Sequence, residues 1–322
     1  MRRREFIALV AGTAVGWPLA ARAYRRAGGM ARVGIIDNGP IWDPFREQLR
    51  ALNYVEGKTI AFDYRTAGGA PDRLFVAANV LVQSPVDVIA VYGTPAAQAA
   101  QQATQTVPVV AIALGDPVGA GLVSSLARPG GNITGNTILG PDVVTKRLQL
   151  LKDALPAVSR VAYLWNPDNQ SSAAILQGLL KAASLFHMTV VSFEARTSED
   201  FAAVFAQMTS DRPDAVLLTS DPLHQAQMHR VIEFLRKSRI PGLFQTRQNA
   251  VDGGLMSYGA SVTDLFRRGA LYVDKILHGT KPGDLPIDEP VTFQLVINLK
   301  TAKAIGVELS QMLLARADEV IE

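Results

Sequence analysis

Residues 86–104 have the sequence VDVIAVYGTPAAQAAQQAT. Their first part is a short, nearly continuous apolar run, which is typical of a buried strand in a parallel sheet covered on both faces. Gly93 ends this run, Thr94 can cap a following helix, and Pro95 fits the first helical turn, where a missing N–H costs nothing. The stretch therefore predicts a strand that turns directly into a helix at residues 93–95.

The turn at residues 93–95 is a candidate anion site. A helix that begins there leaves free backbone N–H groups, and the positive end of its dipole, at the carboxyl edge of the sheet. Open α/β folds bind their ligands at this edge, and the local chemistry favours a carboxylate. Gly93, Thr94 and Pro95 are therefore candidate ligand-binding residues. The alternative is an ordinary strand-to-helix turn that binds nothing.

Strands and helices alternate on both sides of this stretch. Before and after it the sequence predicts strands at 31–38, 59–65, 107–114 and 133–137, with helices between them and a short helix at 120–126. The alternation then starts again, with a helix at 141–154, a single helix at 223–238 and strands at 160–165, 189–194, 215–220, 242–246 and 255–258. This pattern indicates an α/β protein of two doubly wound parallel-sheet units, each of about a hundred residues, which is a normal domain size.

The segment after residue 258 does not form a third unit. It predicts a helix at 262–277, an acidic, proline-containing connector at 284–290 and shorter elements beyond. These pieces must cover faces of the two units, so the chain crosses between them more than once. We assign residues 30–138 and about 259–285 to an N-terminal lobe, and residues 139–258 and about 286–322 to a C-terminal lobe. A cleft between two lobes is a favoured place for a small-molecule site.

The N-terminus has the features of a secretion signal. Arg2, Arg3 and Arg4 precede a short apolar segment, and Ala21-Arg22-Ala23 is an A-x-A cleavage site. The Arg3-Arg4 pair resembles a twin-arginine signal, which implies export in a folded state. Residues 1–23 are therefore predicted to be a signal peptide that is cleaved after about Ala23. The alternative is an uncleaved membrane anchor, but the apolar run is too short to span a bilayer.

Composition excludes several kinds of partner and chemistry. The formal net charge of +3 is carried by the predicted signal, and the rest of the chain has equal numbers of basic and acidic residues. There is therefore no electrostatic case for a nucleic-acid partner. The chain has no cysteine, which removes disulfides, thiolate catalysis and Cys-ligated metals.

No pattern of catalytic residues stands out. The histidines are His187, His224, His229 and His278, and the two on one predicted helix are five residues apart, a poor spacing for a shared metal. The sequence has no G-x-S-x-G elbow, no Walker loop and no G-x-G-x-x-G after the first strand. We therefore expect a protein that is not an enzyme and that uses no cofactor and no metal.

Polar and aromatic side chains recur where the predicted strands end. Besides residues 93–95, the candidate ligand-binding residues are Asn38, Trp42, Asp116, Asn136, Trp165, Asn166, Asp221 and Tyr258. Together they suit a zwitterion, with the Thr94 turn for a carboxylate, Asp221 or Asp116 for an ammonium group, and aromatic residues for an apolar side chain. Most of them also have a simpler explanation. The two aspartates precede prolines and can form turns, Asn136 can satisfy the backbone, and Trp165 can be core.

Six segments resemble those of one known family. They are YVEG at 54–57, GTPAA at 93–97, GDP at 115–117, RPGGNITG at 128–135, GGLMSYG at 253–259 and VINLKTA at 296–302. Together they are similar to the substrate-binding proteins of ABC transporters of the tryptophan/tyrosine type, which have a type I periplasmic-binding-protein fold. The resemblance covers essentially the whole chain after the predicted signal.

This resemblance implies two α/β lobes joined by hinge strands that close on a ligand in the periplasm, with a membrane permease and an ATPase as partners. It also implies an aromatic amino-acid ligand whose carboxylate lies at the Thr94 turn. We therefore expect a monomeric solute-binding protein that captures a small amino-acid-like or aromatic carboxylate by lobe closure. Two alternatives stay open, namely a periplasmic sensing subunit for a membrane receptor and an enzyme that uses the same cleft.

Overall fold

The computed structural model describes residues 29–37, 39–68, 70–138, 143–219 and 221–322. The predicted signal peptide at 1–23 and the candidate ligand-binding residue Asn38 lie outside these ranges. Within them, strands and helices alternate along most of the chain, as the sequence predicts. None of the helices in these ranges is both long enough and apolar enough to cross a membrane.

The element bounds are as follows. The strands are β1 (Ala31–Ile36), β2 (Ile60–Arg65), β3 (Val88–Tyr92), β4 (Val109–Leu114), β5 (Ile133–Thr137), β6 (Arg160–Trp165), β7 (Thr189–Glu194), β8 (Ala215–Leu218), β9 (Gly242–Phe244), β10 (Met256–Ala260), β11 (Phe293–Asn298) and β12 (Glu319–Ile321). The helices are α1 (Asp43–Ala51), α2 (Pro71–Gln83), α3 (Gly93–Ala103), α4 (Val143–Ala154), α5 (Gln170–Ala183), α6 (Asp200–Asp211), α7 (Pro222–Ala226), α8 (Met228–Ser238), α9 (Arg247–Val251), α10 (Val262–Leu277), α11 (Leu299–Ile305) and α12 (Gln311–Leu314). Short 3-10 turns lie at Pro40–Trp42, Ser184–Phe186 and Pro282–Asp284.

The strands form two separate sheets. The first has the order β2-β1-β3-β4-β5, and its strands are all parallel. The second has the order β12-β11-β10-β9-β8-β6-β7, and its neighbouring strands are parallel except for the pair β10 and β11, so that β11 and β12 both run opposite to the other five strands. The predicted α/β class with two parallel-sheet lobes is confirmed, with this one reversed pair. The reversal arises because the chain leaves β10 for the first lobe and returns from that side.

Helices cover both faces of the first sheet. On one face α1 and α10 pack over the strands, and Trp42 sits edge to face against Phe45 and Phe266. On the other face α2 and α3 pack together, and Leu81 and Ala100 are fully buried. Because both faces are covered, all six residues of β4 are buried and apolar, with no alternation of polar side chains.

The second sheet is covered in the same way. Leu148 of α4 and Leu179 of α5 belong to the apolar cluster on one face. Phe201 of α6, together with Val231 and Leu235 of α8, belongs to the cluster on the other face. The apolar residues whose spacing predicts α4 from the sequence are therefore the residues that pack against the second sheet.

Three connections between the described elements carry the chain from one lobe to the other. The first leads from β5 to α4, and the structure describes only its ends. The second leads from β10 of the second sheet to α10, which packs on α1 and on strands of the first sheet. The third leads from Asp288, which is hydrogen-bonded beside β5, to β11 of the second sheet. Each lobe is thus completed by distant parts of the chain, while the exact lobe limits given above stay a prediction.

Two local predictions are wrong. Residues 120–126 form turns instead of a helix, because the Asp116 carboxylate caps the Gly119 amide and Gly121 adopts a left-handed conformation with a φ of 68°. The single helix predicted at 223–238 is divided into α7 and α8 at Gln227, whose amide donates to the carbonyl of His224. Helix α9 and strand β12 have no counterpart in the prediction, since both are too short to give a periodic pattern.

Candidate functional site

A cavity of about 690 Å³ lies between the two lobes. The first lobe lines it with residues at and after the ends of β1, β2 and β3, among them Ile36, Asp37, Pro40, Ile41, Leu74 and Tyr92. The second lobe lines it with residues at and after the ends of β8, β9 and β10 and at the start of β11, among them Pro222, Gln225, Arg247, Gly259, Ser261 and Gln294. Both sheets thus direct their carboxyl edges at one cavity, whose volume is within the range of about 300–1,000 Å³ for small-molecule sites.

Two charged side chains line this otherwise largely apolar cavity among the described residues, Asp37 from the first lobe and Arg247 from the second. The Asp37 carboxylate accepts the backbone amides of Ala67 at 2.5 Å and Gly68 at 2.7 Å. Arg247 donates to Glu319 through Nε at 2.6 Å and Nη2 at 2.7 Å. This pairing raises the pKa of Arg247 and lowers the pKa of Glu319, so both groups stay charged at neutral pH.

A second, much smaller hollow of about 20 Å³ shares Tyr92 and Pro222 with the large cavity. Its walls include Thr94 of the first lobe and both Ser171 and Gln245 of the second. The volume is enough for about one water molecule. We call this space, with its hydroxyl and amide side chains, the polar hollow.

The lobes touch directly beside the polar hollow. The hydroxyl oxygens of Thr94 and Ser171 are 2.8 Å apart, and both side chains are buried. The amide of Gly115 donates to the Thr94 hydroxyl at 3.1 Å, and the amide of Asp116 donates to the Ser171 hydroxyl at 3.3 Å. The Thr94–Ser171 and Asp116–Ser171 bonds join the two lobes directly at the edge of the cavity.

The turn at residues 93–95 has the predicted geometry with a shift in the helix start. Helix α3 begins at Gly93, so Thr94 lies inside the first turn and its hydroxyl is used across the lobe contact. Gly93 has a φ of 80°, and a Cβ at this position would lie 3.2 Å from Cγ of Pro222. Pro95 lines a third space of about 150 Å³, together with Asn166 and Asp221. The structure therefore brings together residues 93–95, Asn166 and Asp221 from the two lobes.

Trp42 does not line the cavity, because its side chain is fully buried in the core of the first lobe. Its indole N–H donates to the carbonyl of Asp37 at 2.7 Å, and its neighbour Ile41 is the one that lines the large cavity. The Asp116 carboxylate holds the turn that follows β4 by accepting the Gly119 amide at 2.8 Å. Both side chains therefore have structural roles.

Asn136 is also fully buried. Its oxygen accepts the amide of Ala113 at 2.9 Å, and its nitrogen donates to the carbonyl of Leu265 in α10 at 2.9 Å. Ala113 has a φ of 61°, at a point where the register between β4 and β5 shifts. Asn136 therefore supports an irregular strand and ties α10 to the sheet, as the simpler explanation of this residue expects.

Asp221 is 1% exposed and forms the N-cap of α7. Its carboxylate accepts the His224 amide at 3.1 Å and the Asn169 side-chain amide at 2.8 Å, with the Asn166 amide at 3.5 Å. These three donors account for its burial without a ligand. Asp221 and Asn166 nonetheless lie near the lobe contact, because they line the third space together with Pro95 of the first lobe.

Trp165 and Tyr258, the aromatic candidate residues of the second lobe, are half-buried, and each stacks on a neighbouring aromatic ring. Trp165 stacks on Tyr163 with ring centroids 6.4 Å apart, and its buried indole nitrogen has no hydrogen-bond partner among the described residues. Tyr258 stacks on Phe293 at 5.8 Å, and burial raises the pKa of its phenol. The carbonyl of Tyr258 accepts two hydrogen bonds from the guanidinium of Arg147.

The comparison with known families decides the class of protein. Residues 40–321 match the model of the family described as ABC transporter substrate binding protein. The chain belongs to this family. Its members are solute-binding proteins rather than enzymes, and two α/β lobes around one cavity are the architecture that such a protein needs.

Several relatives of this substrate-binding protein are known. A tyrosine-binding protein of Clostridioides difficile (strain R20291) is 27% identical over 266 residues, which are 82% of this chain and 76% of the relative. A crystal structure of a conserved domain protein of Vibrio cholerae has a TM-score of 0.85 at 30% identity, with 91% of this chain and 100% of that chain covered. A Streptococcus pneumoniae structure described as an ABC domain in complex with L-Trp has a TM-score of 0.85 at 26% identity, with the same coverage. The predicted resemblance to the tryptophan/tyrosine-type family and the type I fold is confirmed.

One functional candidate in the substrate-binding protein, Arg147, was not predicted from the sequence. Its side chain is 1% exposed, although arginine is usually a surface residue. Arg147 follows Val144 by three residues and precedes Leu151 by four, so it lies on the apolar face of α4. This spacing is the signal that marks it as a buried charge.

No group of three or more histidines, aspartates and glutamates that could hold a metal ion is found among the described residues. His224 is buried, and its Nε2 lies 3.2 Å from the carbonyl oxygen of Ala195. The chemistry that the interlobe surfaces do offer is hydrogen bonding from hydroxyls and amides, next to an apolar cavity that carries one acid and one base.

Proposed function

We propose that this substrate-binding protein captures a small amino-acid-like or aromatic carboxylate between its lobes and releases it unaltered to a membrane transporter. The observation that carries this proposal is the cavity of about 690 Å³ whose walls come from both lobes. A ligand held there contacts both halves at once, so its binding energy favours the closed arrangement over the open one.

The chemistry of the cavity supports this ligand class. Apolar side chains such as Ile36, Ile41 and Leu74 suit an aromatic or aliphatic group. The polar hollow shares Tyr92 and Pro222 with the cavity, and its room for about one water molecule is room for one carboxylate oxygen of a ligand in the cavity. In this arrangement the apolar part of the ligand occupies the cavity, and its carboxylate is placed at the Thr94 turn as the resemblance implies.

Asp37 is the ammonium partner that we propose for an amino-acid ligand. It is the acid that lines the large cavity among the described residues, whereas the Asp116 and Asp221 carboxylates hold a turn and a helix start. The two amides that Asp37 accepts go to one carboxylate oxygen, and a carboxylate can accept about four hydrogen bonds in total. A ligand ammonium group would be a further donor to a carboxylate that already accepts hydrogen bonds within the protein.

Two relatives support the aromatic character of the ligand. The pneumococcal structure carries L-Trp in its description, and the clostridial relative is described as tyrosine-binding. For this chain we further propose a monomeric protein that is exported to the periplasm and that delivers its ligand to permease and ATPase subunits. Export is proposed from the sequence pattern at residues 1–23, which lie outside the described ranges.

A thermal-shift screen against the common amino acids and small aromatic acids tests this proposal. A ligand that binds only the folded protein and is present at 100 times its Kd adds about 2.7 kcal/mol of stability, which raises Tm by about 5 °C in a protein of this size. We expect such a shift with an aromatic amino acid, confirmed by calorimetry. No shift with any amphipathic acid, together with no co-purifying ligand in native mass spectra, would contradict the proposal.

A further inference from the structure

The guanidinium of Arg147 is fully buried in the second lobe. Its Nε and Nη2 donate to the carbonyl of Tyr258 at 2.9 and 2.8 Å, and its Nη1 donates to Oε1 of Gln245 at 3.4 Å. A guanidinium has five N–H donors. Three of them are therefore used within the protein, two on a strand carbonyl and one on an amide side chain.

No carboxylate lies within ion-pair distance of Arg147 among the described residues. Burial lowers the pKa of its guanidinium to about 10, but the group stays protonated at neutral pH. A buried charge is strongly unfavourable unless it has a partner of opposite charge, because transfer out of water removes its solvation. The second lobe therefore carries a positive charge that the described part of the chain leaves without an ion-pair partner.

Gln245 connects this charge to the polar hollow. Its amide oxygen accepts from Arg147, and its side chain follows β9 at the carboxyl edge of the sheet, where it lines the hollow opposite Thr94 and Ser171. An amide whose oxygen is committed to a cation carries its N–H donors on the opposite side. The polar side chains around the hollow are therefore hydroxyls and amides, and one buried positive charge lies behind the Gln245 amide.

We propose that Arg147 is the positioning residue that makes the polar hollow selective for a carboxylate. It holds Gln245 in the donor orientation and supplies the opposite charge that a buried carboxylate requires. The proposal rests on the proposed function and deepens it, because it names the group of the ligand that the second lobe recognises. A role limited to joining α4 to β10 needs only a neutral donor at this position, and a neutral donor is cheaper to bury.

The test compares an acid with its amide. L-tryptophan has a carboxylate where L-tryptophanamide has a neutral carboxamide, and both are measured at a pH low enough to keep their amino groups protonated; L-tyrosine and its amide form a second pair of probes. Calorimetry gives the Kd of each probe for the wild-type protein and for Arg147→Met, Arg147→Lys and Gln245→Glu. Arg160→Met is the control variant. Arg160 lies at the N-terminal end of β6, away from the carboxyl edge that faces the cavity, and pairs with Asp211.

In the wild-type protein we expect the acid to bind about 30 times more tightly than the amide or better, as for a buried charge pair. Arg147→Met lowers this preference to about threefold or less, whereas Arg147→Lys retains most of it. Arg160→Met leaves it unchanged. A simple packing defect would weaken both probes equally and leave their ratio unaltered, so the ratio separates the two explanations.

Gln245→Glu keeps the test valid if Arg147→Met does not fold. The new carboxylate forms an ion pair with Arg147, so we expect a folded protein with an unchanged or higher Tm that has lost its preference for the acid. An unchanged acid-to-amide ratio in a folded Arg147→Met or Gln245→Glu protein would overturn the inference. Equal wild-type affinity for acid and amide would also overturn it while leaving the proposed function intact. Binding of none of the four probes would contradict the inference and the aromatic amino-acid ligand expected for the protein, and the thermal-shift screen above would then decide the proposed function.

Discussion

The hydroxyl oxygens of Thr94 and Ser171 are 2.8 Å apart, and they belong to different lobes. Each also accepts a backbone amide, Thr94 from Gly115 and Ser171 from Asp116. The Thr94–Ser171 and Asp116–Ser171 bonds cross from one lobe to the other, so separation of the lobes would break them, whereas the Gly115–Thr94 bond lies within the first lobe. Substitutions of Thr94 or Ser171 should change the equilibrium between the open and closed arrangements of the lobes more than they change the free energy of unfolding of either lobe.

Ser171→Ala tests this expectation. It removes the partner of the Thr94 hydroxyl and the acceptor of the Asp116 amide in the closed form. A net loss of about 1–2 kcal/mol predicts ligand affinity that is about tenfold weaker, with little change in the Tm of the ligand-free protein. Calorimetry and thermal unfolding measure the two quantities separately.

Ser184→Ala is a suitable control for this change. Ser184 lies at the end of α5 and bonds only within its own helical turn, to the carbonyl of Lys181. It should leave ligand affinity as it is. Equal affinities of Ser171→Ala and the wild-type protein would show that the lobe contact contributes nothing to binding.

Gly115→Ala should prevent full closure by steric means. A Cβ at residue 115 would lie less than van der Waals distance from Cβ and Oγ of Ser171 in the opposite lobe. The overlap costs about 1–3 kcal/mol, so we expect ligand affinity to fall about tenfold and the radius of gyration in X-ray scattering to stay at the open value when ligand is added.

Gly131→Ala is the matched control for Gly115→Ala. A Cβ at residue 131 meets no atom within 4 Å. This variant should bind ligand and contract in scattering like the wild-type protein. Contraction of Gly115→Ala with ligand would mean that the closed state in solution differs from the one described above.

Asp221→Ala should destabilise the fold whether or not a ligand is bound. The change removes the N-cap of α7 and the acceptor for the buried side-chain amide of Asn169. Together these losses predict a free energy of unfolding that is lower by about 2 kcal/mol, which urea denaturation measures. Asp221→Asn keeps an acceptor for the cap and should lose less. If Asp221→Ala had wild-type stability and weaker ligand binding, an ammonium contact would explain the residue better.

Asp214 should make stability depend on pH in the acid range. Burial by itself raises the pKa of its carboxyl, but hydrogen bonds from the backbone amides of Arg160 and Ser159 and from the Ser159 hydroxyl outweigh it and lower the pKa below the ordinary 3.8. The folded state thus binds a proton less readily than the unfolded state. Its contribution is complete above the unfolded pKa and is lost as the pH falls through the lower folded pKa.

Asp214→Asn tests the sign of this effect. Urea denaturation at pH 7 should show the variant less stable than the wild-type protein, and the difference should shrink as the pH falls below about 3.8. Because Asp214 is exposed, we expect a difference under about 1 kcal/mol. Asp284→Asn, on an exposed connector, serves as the control. A gap between wild type and Asp214→Asn that stays constant from pH 7 to pH 3 would contradict the assignment.

The fold was largely predictable from local patterns. Buried parallel strands such as β4 have uninterrupted apolar runs, and glycine and proline mark most of the points where they end. The errors fall where tertiary contacts override local preference. The Asp116 turn prevents the helix expected at 120–126, and the direction of β11 depends on a path through the other lobe.

The candidate site was predictable as a region but not residue by residue. The sequence places Trp42 and Asp221 at strand ends, yet one side chain turns into the core and the other caps a helix. Which way a side chain turns depends on neighbours such as Asn169 and Phe266, which are distant in the sequence. Arg147 shows the converse case, because its burial follows from its position on a helix face, whereas the role proposed for it depends on the absence of a nearby acid among the residues that the structure describes.

Helix α10 covers one face of the first sheet with Leu265, Phe266 and Val273, although it follows every strand of that sheet by more than a whole domain of chain. During synthesis, a nascent chain that has reached residue 260 has all five of these strands and an uncovered apolar surface on them. The first lobe therefore cannot complete its core until α10 has been synthesised. A gene fragment for residues 29–138 should give insoluble product, and co-expression of a segment containing α10 should restore it by complementation.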